Sequence, residues 1–167
     1  VRELLKFYKI SLKDKKVTVV GRSELVGKPI AIMCRNEGAI VTVCHSKTLD
    51  LATETKKADI IICAVGKLGL IQSKHVKRGQ IIIDVGINRK EDGMLAGDVD
   101  FQSVKNIVAA ITPVPVVNTA AYRSVGACAL RLNTPRSNAS TNAMKRRNPV
   151  HAQIMRTGEM VAIEEEY

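Results

Sequence analysis

Tryptophan is absent from the 167 residues, and phenylalanine and tyrosine together supply only 3% of them. A core without aromatic rings must be filled by Val, Ile, Leu and Ala, which suits a parallel sheet covered on both faces. The same scarcity argues against recognition of single-stranded nucleic acid by base stacking. Acidic residues are also few, 16 against 26 Lys and Arg, for a formal charge of +10. That surplus favours an anionic partner, whether phosphate, nucleic acid or a membrane surface, without choosing among them. No basic run exceeds "KRR" at 145–147, so nucleic acid is not the expected partner. No apolar run reaches the roughly 18 residues of a membrane span, and "VRELLKFYK" at the start reads as an amphipathic helix rather than a signal sequence. Cys34, Cys44, Cys63 and Cys128 form neither a CxxC pair nor a zinc-finger spacing. Cys44 and Cys63 fall inside apolar strand patterns and are expected as buried thiols. The expectation is a soluble protein of a reducing compartment, without membrane partner or metal, cytoplasmic or alternatively mitochondrial.

What is present is a rhythm of five apolar runs: "VTVV" (17–20), "IVTVC" (40–44), "DIIICAV" (59–65), "IIIDVG" (81–86) and "AAITPVP" (109–115). Each has strand length, and the stretches between the first four are polar and helix-compatible. In "KPIAIMCRNEG", Ile30, Met33 and Cys34 share one helical face and Gly38 can end the helix. Strands alternating with helices predict right-handed βαβ units, hence an α/β fold with a doubly wound, Rossmann-like parallel sheet of about five strands. "NRKEDGMLAGDVD" (88–100) breaks the rhythm and suits a small hairpin. Beyond Pro115 the composition turns polar, with "NTPRSNASTNAMKRRNP" showing no periodicity. The expected organisation is a lead-in helix over 1–16, a nucleotide-binding domain over 17–115, and a divergent, poorly structured tail over 116–167.

In such a sheet the ligand lies outside the carboxyl ends of the strands, where the first strand meets the next helix. "VTVVGRSELVGKP" stands there, yet the dinucleotide fingerprint asks for glycine at 21, 23 and 26 and finds Gly21, Ser23 and Val26. The turn reads either as a phosphate cradle or as a tight structural bend. As a cradle, Gly21 permits the turn, Ser23 donates to a phosphate, Gly27 admits close packing of the helix, and free N–H groups at the helix start attract the anion. The second strand ends "CHSK": His45, Ser46 and Lys47 place no carboxylate against a 2′-phosphate, while Arg22 and Ser46 can bind one, which favours NADP over NAD. Gly66 in "AVGKLG" and Gly86 in "DVGIN" bring glycines to the same edge and give a cofactor close access. Asp84, inside an apolar strand, reads as a hydrogen-bonded structural carboxylate before a general base. Cys44 and His45 point to opposite faces and make no thiolate pair.

Taken together, "GRSELVGKP", "TVCHSKT", "ADIIICAVGK", "IIIDVGIN", "GDVDF" and "ITPVP" resemble the cofactor domain of methylenetetrahydrofolate dehydrogenase/cyclohydrolase over about residues 1–115. The resemblance implies NADP-linked oxidation of 5,10-methylenetetrahydrofolate and hydrolysis of the methenyl product to 10-formyltetrahydrofolate, with tetrahydrofolate derivatives as partners and a homodimer as assembly. It also implies that Gly21, Arg22 and Ser23 hold phosphates, that Ser46 helps bind the adenosine end, and that the Ile87 backbone anchors the nicotinamide carboxamide. No catalytic residue is expected in this chain, because the family's Tyr and Lys pair belongs to the preceding domain. One departure stands out. The family follows "PVP" with a glycine-rich "GGVGPMT" loop, whereas this chain reads "PVPVVNTAAYRSVG", with Val116 and Val117 where backbone would approach cofactor and folate. Alternatives to the enzyme are a non-catalytic NADP-binding module and a basic nucleic-acid-binding protein.

Overall fold

The computed structural model describes residues 1–112 and the backbone of 131–132. Strands β1 (Lys16–Val20), β2 (Ile40–Cys44), β3 (Ile60–Cys63), β4 (Ile81–Asp84), β7 (Ala110–Ile111) and β8 (Arg131–Leu132) form one sheet in the order β2-β1-β3-β4-β7-β8. The first five are parallel, as the alternating pattern predicts. The sixth, β8, runs antiparallel beside β7, an edge strand that periodicity did not mark because only two residues pair. Helices α1 (Arg2–Phe7), α2 (Gly27–Asn36), α3 (Leu51–Lys57) and α4 (Phe101–Val104), with a 3-10 turn at Ser73–His75, cover the faces. The expected hairpin is present as β5 (Asn88–Arg89) paired antiparallel with β6 (Leu95–Ala96). The tail over 116–167, expected to be poorly structured, lies outside the described residues, the backbone of β8 excepted.

β3 explains why the strand runs are apolar throughout. All four of its residues are buried, because alternate side chains enter different cores. Ile60 and Ile62 pack with Leu4, Leu12, Val19 and Cys34 on one face, while Ile61 and Cys63 pack with Ile71, Val99, Val104 and Ile111 on the other. A sheet covered on one face would alternate polar and apolar. α2 meets the first core through Ala31 and Cys34, with Ile30 and Met33 partly buried against it. It stops at Gly38, whose N–H donates to Arg35 O (2.9 Å). Asp50 caps α3 by accepting from the Thr53 N–H at 3.0 Å.

At the amino ends of the strands a buried polar knot fixes the α3–β4 connection. Gln80, 1% exposed, donates through Nε2 to Thr55 O (2.7 Å) and Ala58 O (2.8 Å) and accepts from the Lys77 N–H (2.7 Å). With the Gln80 amide partnered at both ends, this knot belongs to the scaffold, leaving the carboxyl edge as the place for chemistry.

Candidate functional site

The register assembles that edge. Val20 lies beside Cys44 and Cys63, and Cys63 beside Asp84, so the turns leaving β1, β2, β3 and β4 emerge side by side. Each ladder continues one residue further: Gly21 N–H donates to Cys44 O (2.9 Å), Ala64 N–H to Val20 O (2.8 Å) and Val85 N–H to Cys63 O (2.8 Å). β2 flanks β1 on one side and β3 on the other, so the switch point where doubly wound sheets bind ligands falls at the Gly21 turn. Gly21, Arg22, Ser23, His45, Ser46, Gly66 and Ile87 all lie on these turns. Among the described residues, a concavity of about 300 Å³ beside α1 and one of about 480 Å³ against α2 are lined by none of these turn residues.

Gly21 has φ +119°, and a Cβ there would stand 2.2 Å from Ala64 O. Gly27 is equally constrained, since its Cβ would fall 2.4 Å from Gly21 O, which is why α2 can start directly on the turn. The helix start itself differs from the expected cradle. Ser23 Oγ accepts from the Val26 and Gly27 N–H groups (3.3 and 3.2 Å), Ser23 O accepts from the Lys28 N–H (3.0 Å), and Pro29 has no N–H. The first turn of α2 is therefore already satisfied by Ser23 and offers no free donor to an anion. Donors for a phosphate remain on the turn: the Ser23 hydroxyl, whose oxygen accepts while its proton is free to donate, and the exposed Arg22 guanidinium, which has no ion pair among the described residues. Lys28, by contrast, is held by Glu24.

After β2, Ser46 is exposed, and the His45 ring accepts at Nδ1 from the Lys47 N–H (3.1 Å), while the His45 N–H donates to Thr48 Oγ1 (2.9 Å). These bonds close the loop and fix the ring through Nδ1. Burial pushes the Cys44 thiol up, against a hydrogen bond from Thr48. Cys44 is thus a protonated core residue, in keeping with the expected absence of a thiolate pair.

The residue that sequence reasoning missed is Asp98, fully buried on the return from the hairpin. Its Oδ2 accepts from the Val65 and Gly66 N–H groups (2.6 and 3.0 Å), and its Oδ1 from the Lys67 N–H (2.8 Å) and Asn88 Nδ2 (3.0 Å). Gly86 packs on this carboxylate, since a Cβ there would lie 2.1 Å from Asp98 Cγ. This corrects the expectation that Gly86 is small to admit a cofactor: it is small to admit Asp98. Gly66 is different. Its φ is +71° and a Cβ would meet nothing within 4 Å, so the outer side of that turn is open. The available signal for Asp98 was the Asp-x-Asp of "GDVDF", a stretch that carries the family resemblance without showing what its carboxylates do.

Asp84 is the structural carboxylate its strand context suggests. It accepts from the Gly86, Asp98 and Val99 N–H groups at 3.0, 3.1 and 2.9 Å. Burial pushes its carboxyl up to about 6 despite those three donors, with Asp98 adding repulsion. A carboxyl whose folded pKa is raised from 3.8 contributes stability below about pH 4 that is lost as pH rises through about 6. Stability is therefore expected to fall by up to about 3 kcal/mol between those limits through this group. Urea midpoints at about pH 4.5 and 7.5 check this: Asp84→Asn should show a smaller loss across the interval than the parent chain. The buried His75, whose pKa burial lowers, acts in the opposite direction in both proteins and drops out of the difference.

An edge of this kind, with a Gly-Arg-Ser turn at the switch point, narrows the family. Residues 1–119 match the tetrahydrofolate dehydrogenase/cyclohydrolase NAD(P)-binding domain. The chain belongs to this family. It is 53% identical over 115 residues to the bifunctional protein FolD of Clostridium botulinum and 54% identical over 113 residues to that of Bacillus licheniformis. These alignments cover 69% and 68% of this chain but 41% and 40% of the relatives, so the chain spans about two fifths of the length of the curated proteins it matches. Among solved structures, the bifunctional FolD of Campylobacter jejuni superposes with a TM-score of 0.67 at 50% identity, covering 69% of this chain and 41% of that one. The Trypanosoma brucei enzyme, determined with NADP and an inhibitor, gives 0.63 at 38% identity over the same shares. The family domain thus takes in every turn of the carboxyl edge.

Proposed function

We propose that this chain is the cofactor half of an NADP-dependent methylenetetrahydrofolate dehydrogenase/cyclohydrolase. In this reading Gly21, Arg22 and Ser23 hold phosphates, His45 and Ser46 take the adenosine end, Gly66 gives the cofactor close approach and the Ile87 backbone anchors the nicotinamide carboxamide. The observation that carries it is the convergence of four turns on one sheet edge, with Arg22 exposed and no carboxylate among His45, Ser46 and Lys47, in a chain of this family. Bound by these residues, NADP would supply the hydride acceptor for oxidation of 5,10-methylenetetrahydrofolate, whose methenyl product would be hydrolysed to 10-formyltetrahydrofolate. This chain's residues bind and orient; acid–base work falls to residues outside it. The exposed side chains of Val65, Leu68 and Ile87 along the edge suit an apolar ring and the folate rather than water.

Calorimetry at low ionic strength tests the cofactor assignment. A charge-assisted contact to a 2′-phosphate is worth roughly 1.5–3 kcal/mol, so NADP is expected to bind about tenfold or more tighter than NAD. Arg22→Ala should weaken NADP far more than NAD, and equal affinities in the parent chain reject the assignment.

A second reading, a non-catalytic NADP-binding module, is favoured by one observation: "PVPVVNTAAY" replaces the family's glycine-rich loop. It predicts the same binding without turnover, even when a catalytic half is supplied. Assembly as a homodimer belongs to the first reading, with light scattering expected to give twice the 18.2 kDa of the chain and a strictly monomeric mass counting against it. Among the described residues no helix is long and apolar enough to cross a membrane. We place the protein in the cytoplasm on its unpaired buried thiols; fractionation with mitochondria would reverse that placement.

A further inference from the structure

We propose that Asp98 is a positioning residue that sets the nicotinamide side of the cleft by filling, with its own carboxylate, the anion cradle formed by the N–H groups of residues 65–67. Three successive backbone donors converging on one carboxylate form the kind of nest that elsewhere binds a phosphate. Here both carboxylate oxygens are inside it, at 2.6, 3.0 and 2.8 Å, and the remaining acceptor capacity takes Asn88 Nδ2 at 3.0 Å. One side chain therefore ties the turn after β3 to the hairpin after β4.

The ladder delivers the carboxylate to that point: Ile71 N–H donates to Asp98 O (3.1 Å) and Asp100 N–H to Ile71 O (2.8 Å). Asp84 grips the Asp98 backbone N–H from below (3.1 Å). With their N–H groups turned inward, residues 65–67 have no backbone donors left for a cofactor phosphate. What they offer outward is the open side of Gly66 and the exposed Val65.

The consequence for ligand binding rests on the proposed NADP reading. A dinucleotide held at its 2′-phosphate by Arg22 and Ser46 lies over β2 and β1. Neighbouring strands are about 4.8 Å apart, so its other end falls over β3 and β4, where Asp98 shapes both turns. Phosphate and adenosine contacts should be indifferent to Asp98, and nicotinamide contacts should depend on it. A carboxamide in its place presents one oxygen and an NH₂ group that would face N–H donors, so the isosteric change breaks the nest.

The experiment compares NADP with adenosine 2′,5′-bisphosphate, which reaches only the β2–β1 end, on the parent chain and on Asp98→Asn. Expected for the variant is NADP binding weakened about tenfold or more, with the bisphosphate within about twofold of the parent. Equal weakening of both ligands, or of neither, overturns the positioning role. Amide hydrogen exchange on the parent chain provides an independent test if the variant does not fold. The 65–67 amides should exchange about a hundredfold or more slower than open-loop amides without any ligand, and open-loop rates there overturn the proposal. Failure of the parent to bind either ligand would instead reject the NADP reading, while the exchange rates still decide whether Asp98 fills the nest.

Discussion

Purified alone and supplied with NADP and 5,10-methylenetetrahydrofolate, the 167-residue chain is expected to turn over at least about a thousandfold more slowly than a complete family member. A positioned acid or base contributes about 10²–10⁴ in rate, and holding the folate at reacting distance contributes more. In the proposed reading both duties fall to residues outside this chain. Lys28, the one amine beside the Gly21 turn, is paired with Glu24. Lys47 and Lys67 are exposed on their loops and their backbone N–H groups serve His45 and Asp98, which fixes the loops but does not aim the ammonium groups. A steady-state assay following NADPH absorbance checks the expectation. Normal turnover would require either one of these lysines as the base or a folate pocket built by residues Val116 to Gly126. Adding a separately expressed catalytic half of a relative should restore the rate if the cleft tolerates Val116 and Val117. Intact NADP binding without rescue would place the defect in "PVPVVNTAAY" and favour the non-catalytic module.

The elements that sequence reading found are those whose signal is local. Four consecutive apolar residues at 60–63 suit a strand buried on both faces, and Ile30, Met33 and Cys34 on one helical face mark α2. The turns of the candidate site were legible for the same reason, since in a doubly wound sheet the end of each strand is also the edge of the site. What stayed hidden depends on contacts between distant residues. Asp98 meets residues 65–67 across 31 to 33 positions of sequence, and nothing in "GDVDF" alone says that its first carboxylate turns inward. Gly86 misled for the complementary reason: a glycine signals close approach but not of what. The helix start of α2 misled because free N–H groups were expected there for an anion, whereas Ser23 oxygens already take those of Val26, Gly27 and Lys28. β8 was missed because two paired residues carry no period.

Replacing Gly21 by alanine is expected to cost the protein both stability and cofactor. Two independent penalties meet at this position. Its φ of +119° lies where side chains are rarely found, a strain of about 1–3 kcal/mol. The added methyl would also stand 2.2 Å from Ala64 O and 2.8 Å from Ala64 C, and both are backbone atoms of the turn leaving β3, so no side chain can swing aside. Overpacking of this kind costs about 1–3 kcal/mol more. Gly66→Ala supplies the control for stability, because φ is +71° there but the methyl meets nothing within 4 Å; it should suffer only the backbone penalty. Urea denaturation should therefore place Gly21→Ala about 1–3 kcal/mol below Gly66→Ala. Relief of the clash has a second effect. To make room, the Gly21 turn must move off β3, and with it go Arg22, Ser23 and the backbone on which Gly27 packs at the start of α2. NADP affinity is then expected to fall by about a hundredfold, since the phosphate donors and the switch-point crevice are displaced together. Isothermal titration on the folded variant decides it: NADP bound with parental affinity would mean that the phosphates do not lie on this turn, and the assignment of Gly21, Arg22 and Ser23 would have to be given up.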